Sequence, residues 1–154
     1  MRVLFVCLGN ICRSPTAQGV FEKHASKHPL AKRIVVDSAG TGNWHVGQPP
    51  DPRAIAAAKR YGCDISHLSA RQVVREDFDH YDFILAMDSD NLRHLMAMKP
   101  AHFTGTLCRF LEFAGQPEDM PDPYYGHEDG FDHVYQLCEK ASASLLQHID
   151  VHYG

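Results

Sequence analysis

Residues 1–15 read Met1-Arg2-Val3-Leu4-Phe5-Val6-Cys7-Leu8-Gly9-Asn10-Ile11-Cys12-Arg13-Ser14-Pro15. Val3 to Val6 is a short, unbroken apolar run, the pattern of a strand buried on both faces of a parallel sheet. Ser14-Pro15 reads as a helix start, because proline in the first turn loses no hydrogen bond. Ala17, Val20, Phe21 and Ala25 give that helix an apolar stripe. Between strand and helix stands Cys-x5-Arg-Ser.

Working outward, the same alternation repeats. Ile34-Val35-Val36 is β-branched and predicts a second strand. Gly40 to Pro50 is a glycine- and proline-rich loop. Asp51-Pro52 reads as an N-cap and first helical residue, followed by Ala54, Ile55, Ala58 and Tyr61 at helical spacing, with Gly62 as terminator. Phe83 to Met87 predicts a third strand, and a helix from Ser89 or Asp90 carries Leu92, Leu95 and Met96. Thr106 to Phe110 predicts a fourth strand. Gly115 to Gly130 is a long polar loop with three prolines, a length that usually carries function. Phe131, Val134, Cys138, Ala141, Leu145 and Ile149 mark an amphipathic C-terminal helix. The expected fold is α/β: a single domain over 1–154, three-layered α/β/α, with a four-stranded parallel twisted sheet flanked by helices in the Rossmann-like manner. Ligands of such sheets sit at the carboxyl ends of the strands, so chemistry is expected to begin at residue 7.

The bulk numbers narrow the function. The chain has 154 residues, 44% apolar and 22% charged, with a net charge of −4, which argues against a nucleic-acid-binding surface. No apolar run approaches the roughly 18 residues of a membrane span. The short apolar N-terminus lacks a small-residue cleavage site and reads as a strand, so the expected location is the reducing cytoplasm. Five dispersed cysteines without a C-x-x-C pair give no disulfide scaffold and no zinc ribbon. Eleven scattered histidines form no metal motif, so neither metal nor cofactor is expected.

The residues between strand and helix have their own logic. A loop of this length can turn backbone N–H groups inward as an anion nest, from Leu8 through Gly9, Asn10, Ile11, Cys12 and Arg13 to Ser14. Gly9 and Asn10 tolerate left-handed conformations. The helix that follows adds its free N–H groups and positive end. Arg13 supplies a planar fork for two phosphate oxygens. Cys7 lies at the base of this positive field, which favours the reactive thiolate. Ser14 can donate a hydrogen bond to that sulfur. A Walker loop would need a lysine that is missing, and the dinucleotide fingerprint is absent.

This segment resembles the signature of the low-molecular-weight protein tyrosine phosphatase family. The similarity continues in order through Asp37-Ser38-Ala39-Gly40-Thr41, the Trp44 loop, residues 50–54, 69–72 and 87–92, and Asp122-Pro123-Tyr124-Tyr125-Gly126. The resemblance implies hydrolysis of phosphotyrosine in protein substrates through a cysteinyl-phosphate on Cys7. It assigns Asp122 as the acid that protonates the leaving oxygen, where turn chemistry alone reads Asp122-Pro123 as an Asx-type turn. It gives Ser38 and His67 as partners that fix Asn10; a plain surface role for His67 stays open. Asp88 either orients Arg13 or caps the next helix. Leu8, Ile11, Trp44, Tyr124 and Tyr125 would wall a slot suited to a flat aryl phosphate. Cys12 either forms a reversible disulfide with Cys7 or is an inert thiol. The family also implies a monomer or weak homodimer, and a tyrosine kinase as partner acting on Tyr124 or Tyr125.

Two other functions are compatible with the loop alone. A thiol-coupled arsenate reductase of the same fold would need a close shuttle pair, and Cys63, Cys108 and Cys138 are dispersed. A non-catalytic phosphopeptide binder would have lost a catalytic group, yet Cys7, Arg13 and Asp122 are all present.

Overall fold

Strands β1 (Arg2–Cys7), β2 (Val35–Gly40), β3 (Phe83–Ala86) and β4 (Thr106–Arg109) form one parallel sheet in the order β2-β1-β3-β4. Helices α1 (Arg13–Ser26), α2 (Pro52–Arg60), α3 (Asp77–His80), α4 (Ser89–Met98) and α5 (Asp129–Tyr153) lie against it. The computed structural model describes residues 1–115, 119–126 and 129–154. Among these residues no helix is long and apolar enough to cross a membrane.

Past the exposed Arg2, the central strands β1 and β3 are apolar because both faces are covered. Successive side chains alternate between faces. Val3, Phe5 and Cys7 of β1, with Phe83 and Leu85 of β3, join a core built with α1, α2 and α5. Leu4 and Val6, with Ile84 and Ala86, join a second core that includes Phe78 of α3 and Leu95 of α4. Phe5 is fully buried and meets Phe21 and Phe110 edge-on at 5.8 and 4.8 Å. Truncating such a ring to alanine costs about 3–5 kcal/mol.

Strand order places the site. From β1 the chain builds β2 on one side, then crosses to β3 on the other. The segment after β1 therefore leaves the sheet where strand order reverses, and a crevice opens there.

Several boundaries differ from expectation for tertiary reasons. β2 runs past its β-branched start to Gly40, because Ser38, Ala39 and Gly40 pair with Phe5, Val6 and Cys7. β4 stops at Arg109, and Phe110 opens a 3-10 turn through Ala114. The 3-10 turn Ala31–Arg33 and the single-turn α3 were not expected. In the long loop of 115–130, Asp129 and Gly130 already belong to α5, and residues 116–118 and 127–128 lie outside the described residues. Asp51 caps α2 as predicted, accepting the Arg53 N–H, and Gly62 follows the helix with φ of 77°.

Candidate active site

The segment between β1 and α1 wraps around the sulfur of Cys7. The Asn10 N–H donates to Sγ at 3.2 Å, and the Ser14 hydroxyl lies 3.0 Å from it. Ser14 Oγ accepts a bond from Asn10 Nδ2 at 2.7 Å, and its own proton has two acceptors in reach, the sulfur and, farther off at 3.5 Å, the Ala39 carbonyl. Cys7 is 3% exposed, so these donors act where water is largely excluded.

Asn10 is the one non-glycine residue with positive φ among the described residues, at 57°. Left-handed backbone is unfavourable for a residue bearing Cβ, and its side chain holds it there. Nδ2 donates to Ser14 and Ser38, the latter at 3.0 Å, and Oδ1 accepts the Arg71 N–H at 3.0 Å. Ser38 donates onward to Gln18 at 2.7 Å. Two expectations are corrected here. His67 is not a partner of Asn10: it is exposed in a turn, and Arg71 takes the remaining position. Gly9 does not adopt positive φ; a side chain there would press on the His45 ring at 3.2 Å. Gly40 is required by close approach, since a Cβ would lie 2.8 Å from the Leu8 carbonyl.

Arg13 is buried in the first turn of α1. Its Nη1 donates to Asp88 at 2.7 Å and to the Met120 carbonyl at 3.0 Å, while Nη2 lies 3.5 Å from Asp122. Burial works against the charge, but facing Cys7 and then Asp88 outweigh it and raise the guanidinium above its ordinary value. Asp88 performs both roles considered for it. One oxygen holds Arg13, and the other accepts the Asn91 N–H at 2.7 Å as the cap of α4.

Cys7, Leu8, Gly9, Ile11, Cys12 and Arg13 line the base and sides of a pocket of about 330 Å³. Trp44, His45, Tyr124, Tyr125 and Asp122 complete its wall. Asn10 and Ser14 do not line it; they brace the loop from behind. Tyr125 meets Tyr124 edge-on at 4.9 Å and is 93% exposed. Asp122 is exposed at the mouth, and its Oδ1 accepts the Tyr124 N–H at 3.0 Å. Cys12 is a free thiol in the same loop. Burial pushes that thiol up strongly, with Asp51, Cys7 and Asp122 adding to the effect. It stays neutral beside the sulfur that the loop is built to hold.

Sequence reasoning missed His45, Arg71, Gln18 and Arg53. His45 had a signal in its place next to Trp44, and Arg53 and Arg71 had one in lying within the matching segments 50–54 and 69–72; Gln18 had none. Of the other cysteines, Cys63 and Cys138 are buried in the core and Cys108 lies on β4; none lines the pocket.

Comparison with known proteins agrees with this geometry. Residues 2–152 match the model of the family described as low molecular weight phosphotyrosine protein phosphatase. The enzyme of that name from Schizosaccharomyces pombe is 44% identical, covering 97% of each chain. A protein tyrosine phosphatase from Entamoeba histolytica is 38% identical, with a TM-score of 0.94 over 98% of this chain and 97% of that one. A Drosophila arginine phosphatase is 33% identical, with a TM-score of 0.84 over 96% of this chain and 97% of that one. A loop that grips a sulfur, a buried arginine above it and a match along nearly the full length lead to one conclusion: the chain belongs to the low molecular weight phosphotyrosine protein phosphatase family, and is a protein tyrosine phosphatase.

Proposed function

We propose that Cys7, Arg13 and Asp122 carry out phosphotyrosine hydrolysis in two displacements. The phosphate lies on the 8–14 loop, against inward N–H groups and the Nη2 side of Arg13. It thereby displaces the Arg13–Asp122 contact and frees Asp122 to face the leaving oxygen. Cys7 Sγ attacks phosphorus, the bond to the phenolic oxygen breaks, and Asp122 gives that oxygen a proton. Asp122, now a carboxylate, takes a proton from water as the water attacks phosphorus. The S–P bond breaks, Cys7 leaves as a thiolate eased by Ser14, and inorganic phosphate departs. Loop and arginine act by position and charge.

The observation that carries this reading is the Asn10 N–H and the Ser14 hydroxyl on Cys7 Sγ, in a pocket shared with a buried arginine. Cys7→Ser is expected to abolish aryl phosphate turnover while inorganic phosphate still binds. Retained turnover would remove Cys7 as nucleophile. Trp44, Tyr124 and Tyr125 favour a flat aryl ester. The likeness to an arginine phosphatase makes phosphoarginine the comparison substrate: the aromatic wall predicts the faster reaction with phosphotyrosine.

Three further elements belong to this reading. A peroxide would convert Cys7 to the sulfenic acid, and Cys12 would displace water from it to form a reducible disulfide. Tyr125, exposed at the mouth, is the better placed of the two tyrosines for a kinase. The protein would act in the cytoplasm on phosphotyrosyl proteins, as a monomer or weak homodimer.

A further inference from the structure

Arg53 stands outside the signature loop and outside the pocket lining, yet it touches three elements around the site. Its backbone N–H and Nε donate to Asp51 Oδ1 at 2.8 and 3.0 Å, and Nη2 donates to Asp51 Oδ2 at 2.9 Å. The same Nη2 donates to the Tyr124 carbonyl at 3.0 Å. Its guanidinium also lies over the rings of Phe131, at 4.7 Å, and Tyr124, at 5.6 Å. The fork is thus fixed on the first turn of α2 while one end reaches the loop of Asp122.

Tyr124 is held at both backbone groups. Its carbonyl accepts from Arg53, and its N–H donates to Asp122 Oδ1. Asp51, at the other end, donates its own N–H to the Ile11 carbonyl at 2.8 Å, inside the loop that surrounds Cys7. The bonds run without a gap from Ile11 through Asp51, Arg53 and Tyr124 to Asp122. Rate depends steeply on the spacing of reacting groups, and a displacement of about 1 Å can cost roughly a hundredfold.

We propose that Arg53 is a positioning residue that sets where the Asp122 carboxyl stands relative to the phosphate loop. It touches no reacting atom. A lysine could not replace it, because a single ammonium on a flexible stem cannot grip Asp51 at two points and reach Tyr124 as well. The proposal rests on the reading of Asp122 as proton donor.

The test uses leaving groups of different acidity. Phenol needs a proton to depart, whereas a dinitrophenol does not. In Arg53→Met, kcat/KM for phenyl phosphate is expected to fall about tenfold, and that for dinitrophenyl phosphate less than about twofold. Competitive inhibition by inorganic phosphate should stay unchanged. Added to Asp122→Ala, the Arg53→Met change should cause no further loss. Asp51→Asn, which keeps the helix cap but loosens the fork, serves if Arg53→Met does not fold; it should show a smaller loss of the same selectivity. Equal losses for both esters, or a loss of phosphate affinity matching the loss of rate, would overturn the proposal. If Asp122→Ala itself lacks leaving-group selectivity, the reading of Asp122 fails first and takes the proposal with it.

Discussion

The loop from Cys7 to Ser14 buries Asn10, Arg13 and Ser14, whereas the segment from 119 to 126 leaves Asp119, Pro121, Asp122, Tyr124 and Tyr125 exposed. In the first, side-chain bonds knit Asn10 to Ser14, Ser38 and Arg71, and Arg13 to Asp88. The second hangs from a few points: Asp119 on Ser89 and Arg109, Met120 between Met87 and Arg13, and Tyr124 on Arg53. Burial makes each polar contact in the first loop costly to break, since a partner left behind loses water as well as its bond. Exposure makes the contacts of Asp119 and Tyr124 in the second cheap to break, with the buried Met120 as the exception. The phosphate cradle is therefore prebuilt, and the proton donor is adjustable. Changes to the cradle should lower phosphate affinity and stability together. Changes to the acid segment should alter rate in a leaving-group-dependent way and leave stability nearly untouched.

The largest effect should come from Arg13→Lys. The ammonium keeps the charge but loses the fork that grips Asp88, Met120 and phosphate together. kcat/KM for an aryl phosphate should fall roughly 10²–10³-fold for esters of good and poor leaving groups alike. A loss confined to poor leaving groups would erase the contrast between the loops. Asn10→Ala comes next. It leaves buried Ser38 and Ser14 short of a donor, leaves the Arg71 N–H short of an acceptor, and places alanine at a φ of 57°. Unfolding stability should drop by about 3 kcal/mol, read from the shift in urea midpoint. A drop within about 0.5 kcal/mol would show that the cradle is not over-determined.

These two residues also show what was readable in the chain. Both sit in a segment whose strand, turn and helix signals are local, so the cradle was legible from residues 3–15 alone. The four strands were legible for the same reason: each carries a short apolar or β-branched run. Arg71 was not, because its contribution to Asn10 is a backbone N–H brought from 61 positions away. The expectation for His67 failed because a side chain was assigned where a backbone group serves. Single-turn α3 and the 3-10 turns carry too few residues to show a period. The role of Arg53 was hidden although the residue lies in the matching segment 50–54: as the third residue of the Asp-Pro-Arg helix start, it reads as an ordinary solvated arginine until its bond to the Tyr124 carbonyl is seen.

Asp88→Asn probes the seam between the two loops. Asparagine still caps α4, so the helix should survive. Arg13 loses its nearer charged partner but keeps the Met120 carbonyl and, without phosphate, the longer contact with Asp122. Phosphate affinity should weaken about tenfold, the scale of one charge-assisted bond. Isothermal titration with inorganic phosphate measures it directly. If affinity is unchanged while the rate on poor leaving groups falls, Asp88 serves the acid segment and belongs on the other side of the comparison.

Asp119→Asn should have the smallest effect, and pH tells most about it. Burial opposes the Asp119 charge, but bonds from Ser89 and Arg109 outweigh it and hold the carboxyl below its ordinary value of 3.8. A carboxyl bound more tightly as the anion in the folded protein contributes stability above that ordinary value, and the contribution is lost as pH falls through the depressed one. The tether on the acid segment is therefore intact at neutral pH and released only in strong acid. At pH 7, Asp119→Asn should lower kcat/KM for phenyl phosphate by about twofold to threefold, as expected for an exposed ion pair. Amide exchange across 119–126 should be faster in the variant at pH 7, and the difference should vanish when both are measured well below pH 3.8. A difference that persists in acid would mean that asparagine disturbs the segment by some route other than the lost charge. A variant indistinguishable from wild type at pH 7 would leave Arg53 and Met120 as the contacts that hold the proton donor in place.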